Sequence, residues 1–260
     1  MKDATELKND VWLAGLDGCK GGWIVTLIRP SGDEARVEIV PRFSNVATLR
    51  PAPMVVAVDM PIGLPDFSPA KGRYAERLAR PRLGERQSSV FRIPSRSAVY
   101  FGASDDPPDN RERFLRACEI ARNTSEDGKA FAKQGFYIFR KIVEVDQALR
   151  GDLALAERTF EIHPEVAFWR LNGETPLLEP KKRKNRPDER GMALRRSLLI
   201  AAGLPRRLVE SEAPAGAAAD DLLDALACAA IARRIHAGIA EPFPNPPPRD
   251  AYGLPMAIWA

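Results

Sequence analysis

At 260 residues, 45% of them hydrophobic, the chain can bury a substantial core, which excludes a disordered or fibrous polymer. Its three cysteines, Cys19, Cys118 and Cys228, are odd in number and far apart, so they suggest neither a disulfide framework nor a thiolate zinc site, and two histidines exclude a histidine-rich metal centre. The net charge is only +4, but eight Lys/Arg face two acids in each of two stretches, Lys71 to Arg96 and Lys181 to Arg196.

Such segregation suits a polyanionic partner, nucleic acid, held by basic segments beside an acidic centre. The competing reading is that these are solvated helix faces and loops. No run approaches the roughly 18 apolar residues of a membrane helix, and the opening Met1-Lys2-Asp3-Ala4-Thr5-Glu6 lacks a signal-peptide pattern. The expectation is a cytoplasmic protein without membrane contact.

Val11 to Leu16 is a continuous apolar run, too short for a helix and suited to a strand buried on both faces. A glycine turn follows, then the β-prone Trp23 to Ile28, a second turn at Pro30 to Asp33, and a strand in which Val37 and Ile39 alternate with Arg36 and Glu38. This predicts an antiparallel three-stranded meander. Ser44 to Leu49 can hold a short helix, and Met54 to Val58 reads as a fourth, fully buried strand. From about 61 to 150 the chain reads as a large insertion of helices and loops, with helical spacing over Arg111 to Arg122 and Phe131 to Leu149. Thr159 to His163 is the fifth strand, ended by Pro164. A basic connector spans about 180 to 187, Arg190 to Ala202 forms a helix, and the last long helix covers Ala219 to Ala237. Residues 241 to 260 read as a proline-rich tail. The expected architecture is a single α/β domain from 11 to 260 with a mixed five-stranded sheet flanked by helices.

Asp17 and Asp59 each close an apolar strand and precede a glycine-containing turn. A half-desolvated carboxylate is costly unless a cation compensates it. The last helix opens Asp220-Asp221-Leu222-Leu223-Asp224, placing Asp224 over both other acids. Capping and the helix dipole account for Asp220 or Asp221 but leave Asp224 unexplained. Asp17, Asp59, Asp221 and Asp224 together form the oxygen-ligand set that two-metal phosphoryl transfer requires, and such ligands suit Mg²⁺ or Mn²⁺.

Six blocks carry a family likeness: Gly15-Leu16-Asp17-Gly18-Cys19-Lys20-Gly21-Gly22-Trp23, Asp59-Met60-Pro61-Ile62-Gly63-Leu64-Pro65, Ser88-Ser89-Val90-Phe91, Lys141-Ile142-Val143-Glu144-Val145-Asp146, Glu161-Ile162-His163-Pro164-Glu165 and Asp221-Leu222-Leu223-Asp224-Ala225-Leu226. They run in order over nearly the whole chain, and the sequence resembles the family named domain of unknown function 429, described as predicted RNase H-like nucleases. The resemblance implies an RNase H-like sheet with the first and fourth strands adjacent and parallel. Its last-helix motif is similar to that of RuvC-type resolvases, which implies Asp17, Asp59, Asp221 and Asp224 as metal ligands. Glu161 is implied as a fifth acid or supporting group, against a reading in which Glu161 and Glu165 pair with arginines or orient His163.

Lys20 is placed to neutralise a phosphate or Asp17, or is an ordinary turn lysine. Ser88, Ser89, Arg92 and Arg96 are expected to clamp backbone phosphate. The function these readings give is Mg²⁺-dependent hydrolysis of a nucleic-acid phosphodiester. The alternatives are an ATP-binding phosphotransferase of the actin-like or sugar-kinase kind and a non-catalytic nucleic-acid binder.

Overall fold

The computed structural model describes residues 11–184 and 186–260, so the opening segment read above for a signal peptide lies outside the described residues. Strands β1 (Leu13–Cys19), β2 (Gly22–Ile28) and β3 (Ala35–Val40) form the expected antiparallel meander. A 3-10 turn at Phe43–Thr48 stands where a short helix is predicted. Strand β4 (Val55–Val58) then pairs parallel with β1, Leu16 opposite Val58, and β5 (Thr159–Glu161) pairs parallel with β4, Val58 opposite Glu161.

The basic connector forms a small separate hairpin of β6 (Lys182–Arg183) and β7 (Arg186–Pro187). The main sheet has seven strands, not the expected five, in the order β3-β2-β1-β4-β5-β9-β8. The two extra strands, β8 (Pro242–Phe243) and β9 (Ile258–Trp259), come from the segment read as a tail. β9 runs parallel beside β5, and β8 is antiparallel outside it. Two-residue strands show no alternation in sequence; they exist because the open edge of β5 needs partners for its backbone.

The insertion contributes α1 (Tyr74–Ala79), a 3-10 segment (Arg80–Ser89), α2 (Arg96–Ala103), α3 (Asn110–Asn123) and α4 (Lys133–Gly151). Beyond it lie α5 (Leu153–Glu157), α6 (Pro164–Leu171), α7 (Glu189–Ala201), α8 (Arg206–Val209) and α9 (Ala219–His236). The period-two alternation of the central strands sorts their side chains between two cores. Ala14, Leu16, Val25, Val56 and Val58 pack against Val99, Ala117, Phe139, Ile142 and Val145 of α2, α3 and α4. Leu13, Ile24, Val55 and Ala57 meet Leu199 of α7 and Leu222, Ala225 and Ala229 of α9. The insertion is thus one whole layer of a helix-sheet-helix stack. Each large apolar side chain it buries contributes about 1.5–3 kcal/mol, which is why it stays on the sheet. Among the described residues no helix is long and apolar enough to cross a membrane.

Candidate metal centre and its cavity

Leu13, Gly15 and Asp17 lie on one face of β1, and Val55, Ala57 and Asp59 lie on the same face of the neighbouring strand and its extension. The parallel register continues past the strand ends, where the Asp59 amide donates to the Leu16 carbonyl at 2.9 Å. This face carries α9. At Gly15 a Cβ would fall 2.1 Å from the Ala229 nitrogen and 2.2 Å from the Ala225 carbonyl oxygen. Only glycine lets the helix backbone rest on the strand, and Asp224, one residue before Ala225, thereby reaches the strand ends. Carboxylate oxygens of Asp17, Asp59 and Asp224 lie within 4.8 Å of one another.

Asp17 and Asp224 are buried and Asp59 is half-buried. Burial first, then repulsion from Asp59 and Asp224, drives Asp17 well above the usual carboxylate range; burial and Asp224 do the same to Asp59. Asp224 is pushed up to about 6 by burial, with Lys181 opposing the rise. Lys181 Nζ bonds Asp224 Oδ2, while Asp224 Oδ1 is buried with no hydrogen-bond partner among the described residues. Burial works against the Lys181 ammonium, but Asp224, Asp17 and Asp59 more than offset it and hold it charged.

Lys181 is itself held in place. Arg195, fully buried in α7, donates to both oxygens of Glu165 at 2.6 and 2.8 Å and to the Glu179 carbonyl at 3.0 Å. Gly191 gives the Pro180 carbonyl room, since a Cβ there would lie 1.9 Å from that oxygen. The next residue, Lys182, pairs with Asp220 at 2.6 Å. Two acids one helical turn apart on α9 therefore each receive a lysine from the connector.

Asp221, expected among the ligands, stands outside the three-acid group. The N-cap is Ala218 and neither Asp220 nor Asp221; Asp221, in the first turn, accepts the Ala218 amide at 2.8 Å and so helps close the start of α9. Glu161 is buried with both oxygens engaged, Oε1 by Arg73 Nη2 at 2.6 Å and Oε2 by the Ile62 amide at 2.8 Å, so the arginine-pairing reading describes it.

Lys20 is exposed in the β1–β2 turn. Ser88 is exposed, whereas Ser89 lines the cavity described below and donates to the Arg86 carbonyl at 2.8 Å. The expected clamp arginines are already committed: Arg92 grips Asp127 at 2.7 and 3.0 Å, and Arg96 bridges Asp146 at 2.5 Å and Asp250 at 2.6 Å. Guanidinium groups so paired hold the insertion and the C-terminal segment together and leave no fork for phosphate. Part of the basic clustering is accordingly internal. Sequence reasoning missed Lys181, although three acids in need of a cation and a lysine-rich connector were both in view. All three cysteines are buried and unpaired.

A cavity of about 460 Å³ opens on the acids, with Asp17, Asp59 and Lys181 on one side and His163, Ser89 and Lys141 around it. Lys141 donates to the Gly22 carbonyl at 2.6 Å and lies 4.4 Å from the Trp23 ring centre. His163 precedes the first turn of α6, its Nε2 3.2 Å from the Ser89 carbonyl, and burial lowers its pKa. An acidic pit that lacks its full complement of cations, open to a pocket of small-molecule size, can bind a divalent ion and present it to a phosphate. Neither a curated protein nor a solved structure matches the chain. Residues 15–249 match the family described as Protein of unknown function (DUF429), a span that holds all three clustered aspartates, and the chain belongs to that family.

Proposed function

We propose that this protein is a Mg²⁺- or Mn²⁺-dependent nuclease with an RNase H-like core. The observation that carries the reading is the convergence of Asp17, Asp59 and Asp224, from two adjacent parallel strands and the last long helix, within 4.8 Å. The order β3-β2-β1-β4-β5, with β2 antiparallel to its neighbours, supports the RNase H-like assignment; β9 and β8 extend that sheet. Two buried carboxylates and a half-buried one, all with raised pKa values, and an unpartnered Asp224 oxygen suit a hard cation with oxygen ligands. Asp17, Asp59 and Asp224 would hold it. Bound there, a divalent ion supplies Lewis-acid polarisation of a phosphoryl oxygen and makes water a better nucleophile at neutral pH.

The chain's own residues do the rest. Lys181 balances part of the acidic charge before substrate arrives, and the Arg195–Glu165 pair keeps its strand of connector in place. Neutral His163 faces the cavity as a hydrogen-bonding group. A second ion would draw on Asp221, which must then give up the Ala218 amide.

Incubating the purified protein with single-stranded DNA, duplex DNA and RNA tests the reading. Hydrolysis is expected with Mg²⁺ or Mn²⁺, none with chelator, and Asp17→Asn should lower the rate by more than about a hundredfold, since even outer partners of metal ligands are worth 10–100-fold. If no substrate is cut under any of these conditions, the reading is wrong.

A further inference from the structure

The cavity is also lined by apolar and aromatic side chains. Val90, Phe91 and Ile93 come from the loop after the 3-10 segment, Tyr137 and Ile138 from α4, and Ile162 from the end of β5. Tyr137 is 67% exposed, its ring meeting Phe136 edge-on at 6.1 Å and otherwise open toward the cavity mouth. At about 460 Å³ the cavity falls within the roughly 300–1,000 Å³ of small-ligand sites. A duplex is bound across an open face of more than about 1,000 Å² and keeps its base faces stacked inside. An unpaired nucleotide offers a ring face to an aromatic side chain and a phosphate to a metal site.

His163 adds a directional demand. A carbonyl oxygen can only accept, so the contact with Ser89 fixes the ring proton on Nε2. Nδ1 is then a lone-pair acceptor, and it is buried with no partner among the described residues. The acidic side repels a bare anion, so phosphate must arrive with its cation.

Resting on the nuclease reading, we infer that the cavity receives one unpaired nucleotide, its base against Phe91 and Tyr137 and its phosphate toward Asp17 and Asp59. The ligand is then the unpaired end of a strand, or the free nucleotide released from it, and not the paired interior of a duplex.

Titration calorimetry of the full chain in Mg²⁺ tests this with adenosine 5′-monophosphate, inorganic phosphate and a 5′-phosphorylated single-stranded hexanucleotide. Adenosine monophosphate should bind at least about tenfold tighter than phosphate, and Tyr137→Ala should remove about tenfold of that affinity without altering phosphate binding. Phe91→Ala should act in the same direction; Tyr137, being exposed, is the variant whose folding is not at issue. A hexanucleotide tighter than the monophosphate identifies a strand end, and equal or weaker binding identifies the free nucleotide. Equal affinity for monophosphate and phosphate, or indifference to both substitutions, overturns the inference. Nucleotide binding without any phosphodiester cleavage would sink the nuclease reading alone, and duplex cleavage without nucleotide binding would sink this inference alone.

Discussion

The Arg73 cluster and the Asp17 cluster line the same cavity, yet the chain completes only the first. Arg73 donates through Nε to Glu76, through Nη2 to Glu161 and through Nη1 to Glu161 and the carbonyls of Ile62 and Gly63, at 2.6 to 3.1 Å. The Asp17 cluster has three carboxylates, one ammonium and an Asp224 oxygen without a partner. A guanidinium with every donor used is a structural tie, because its cost of burial is met on the spot. A carboxylate group left short of cations is a site that waits for something from outside.

The largest expected effect attacks the completed cluster. Arg73→Met leaves Glu76 and Glu161 buried without a cation and should cost about 3–5 kcal/mol in urea unfolding; a loss below about 1 kcal/mol would erase the distinction. The next is a pH effect on the incomplete cluster. Native Asp224 titrates near 6 and its unfolded counterpart near 3.8, so between these values the native state keeps a proton that the unfolded state has lost. Stability in chelator should therefore fall as pH rises from about 4 to 6, by up to about 3 kcal/mol from this group, with Asp17 and Asp59 adding in the same direction. Asp127, held below the usual range by Arg92, loses its contribution only at lower pH, whereas His163, lowered by burial, acts in the opposite sense below about 6.5, so the difference between the native chain and Asp224→Asn isolates the carboxylate. Unfolding midpoints at both ends of the window check the sign, and Asp224→Asn should flatten the slope.

A smaller change separates the clusters most sharply. Asp17→Asn removes one of three repelling charges and should raise stability in chelator by about 1–2 kcal/mol, while abolishing any Mg²⁺-dependent rise in Tm. Loss of stability instead would mean that the chain already balances the site. The baseline is the exposed Arg206–Glu210 pair, 2.6 Å apart, where Arg206→Ala should change stability by less than about 0.5 kcal/mol.

The central sheet was legible because its strands are apolar runs bounded by turn residues, and α4 and α9 because their apolar spacing is long enough to register. What stayed hidden depends on partners far along the chain. β8 and β9 have too few residues to show a pattern, and Glu161 looks like a ligand until Arg73, 88 positions away, is seen to hold it. Asp221 and Asp224 are three residues apart and chemically identical; only the crossing of α9 over β1 decides which one helps close the helix start and which one joins the site. Arg92 and Arg96 looked like free phosphate donors because sequence does not reveal that Asp127, Asp146 and Asp250 reach them.

The contact at Gly15 gives this site an unusual stiffness. Where a helix stands off a strand on interleaved side chains, rotamer changes can open or close a gap between residues on the two elements. Here backbone lies on backbone, two residues from Asp17 and one from Asp224, so the gap between those acids has almost no side-chain slack to draw on. The spacing of these acids is a fixed dimension of the core, and anything seated between them must fit it or push against the whole helix layer.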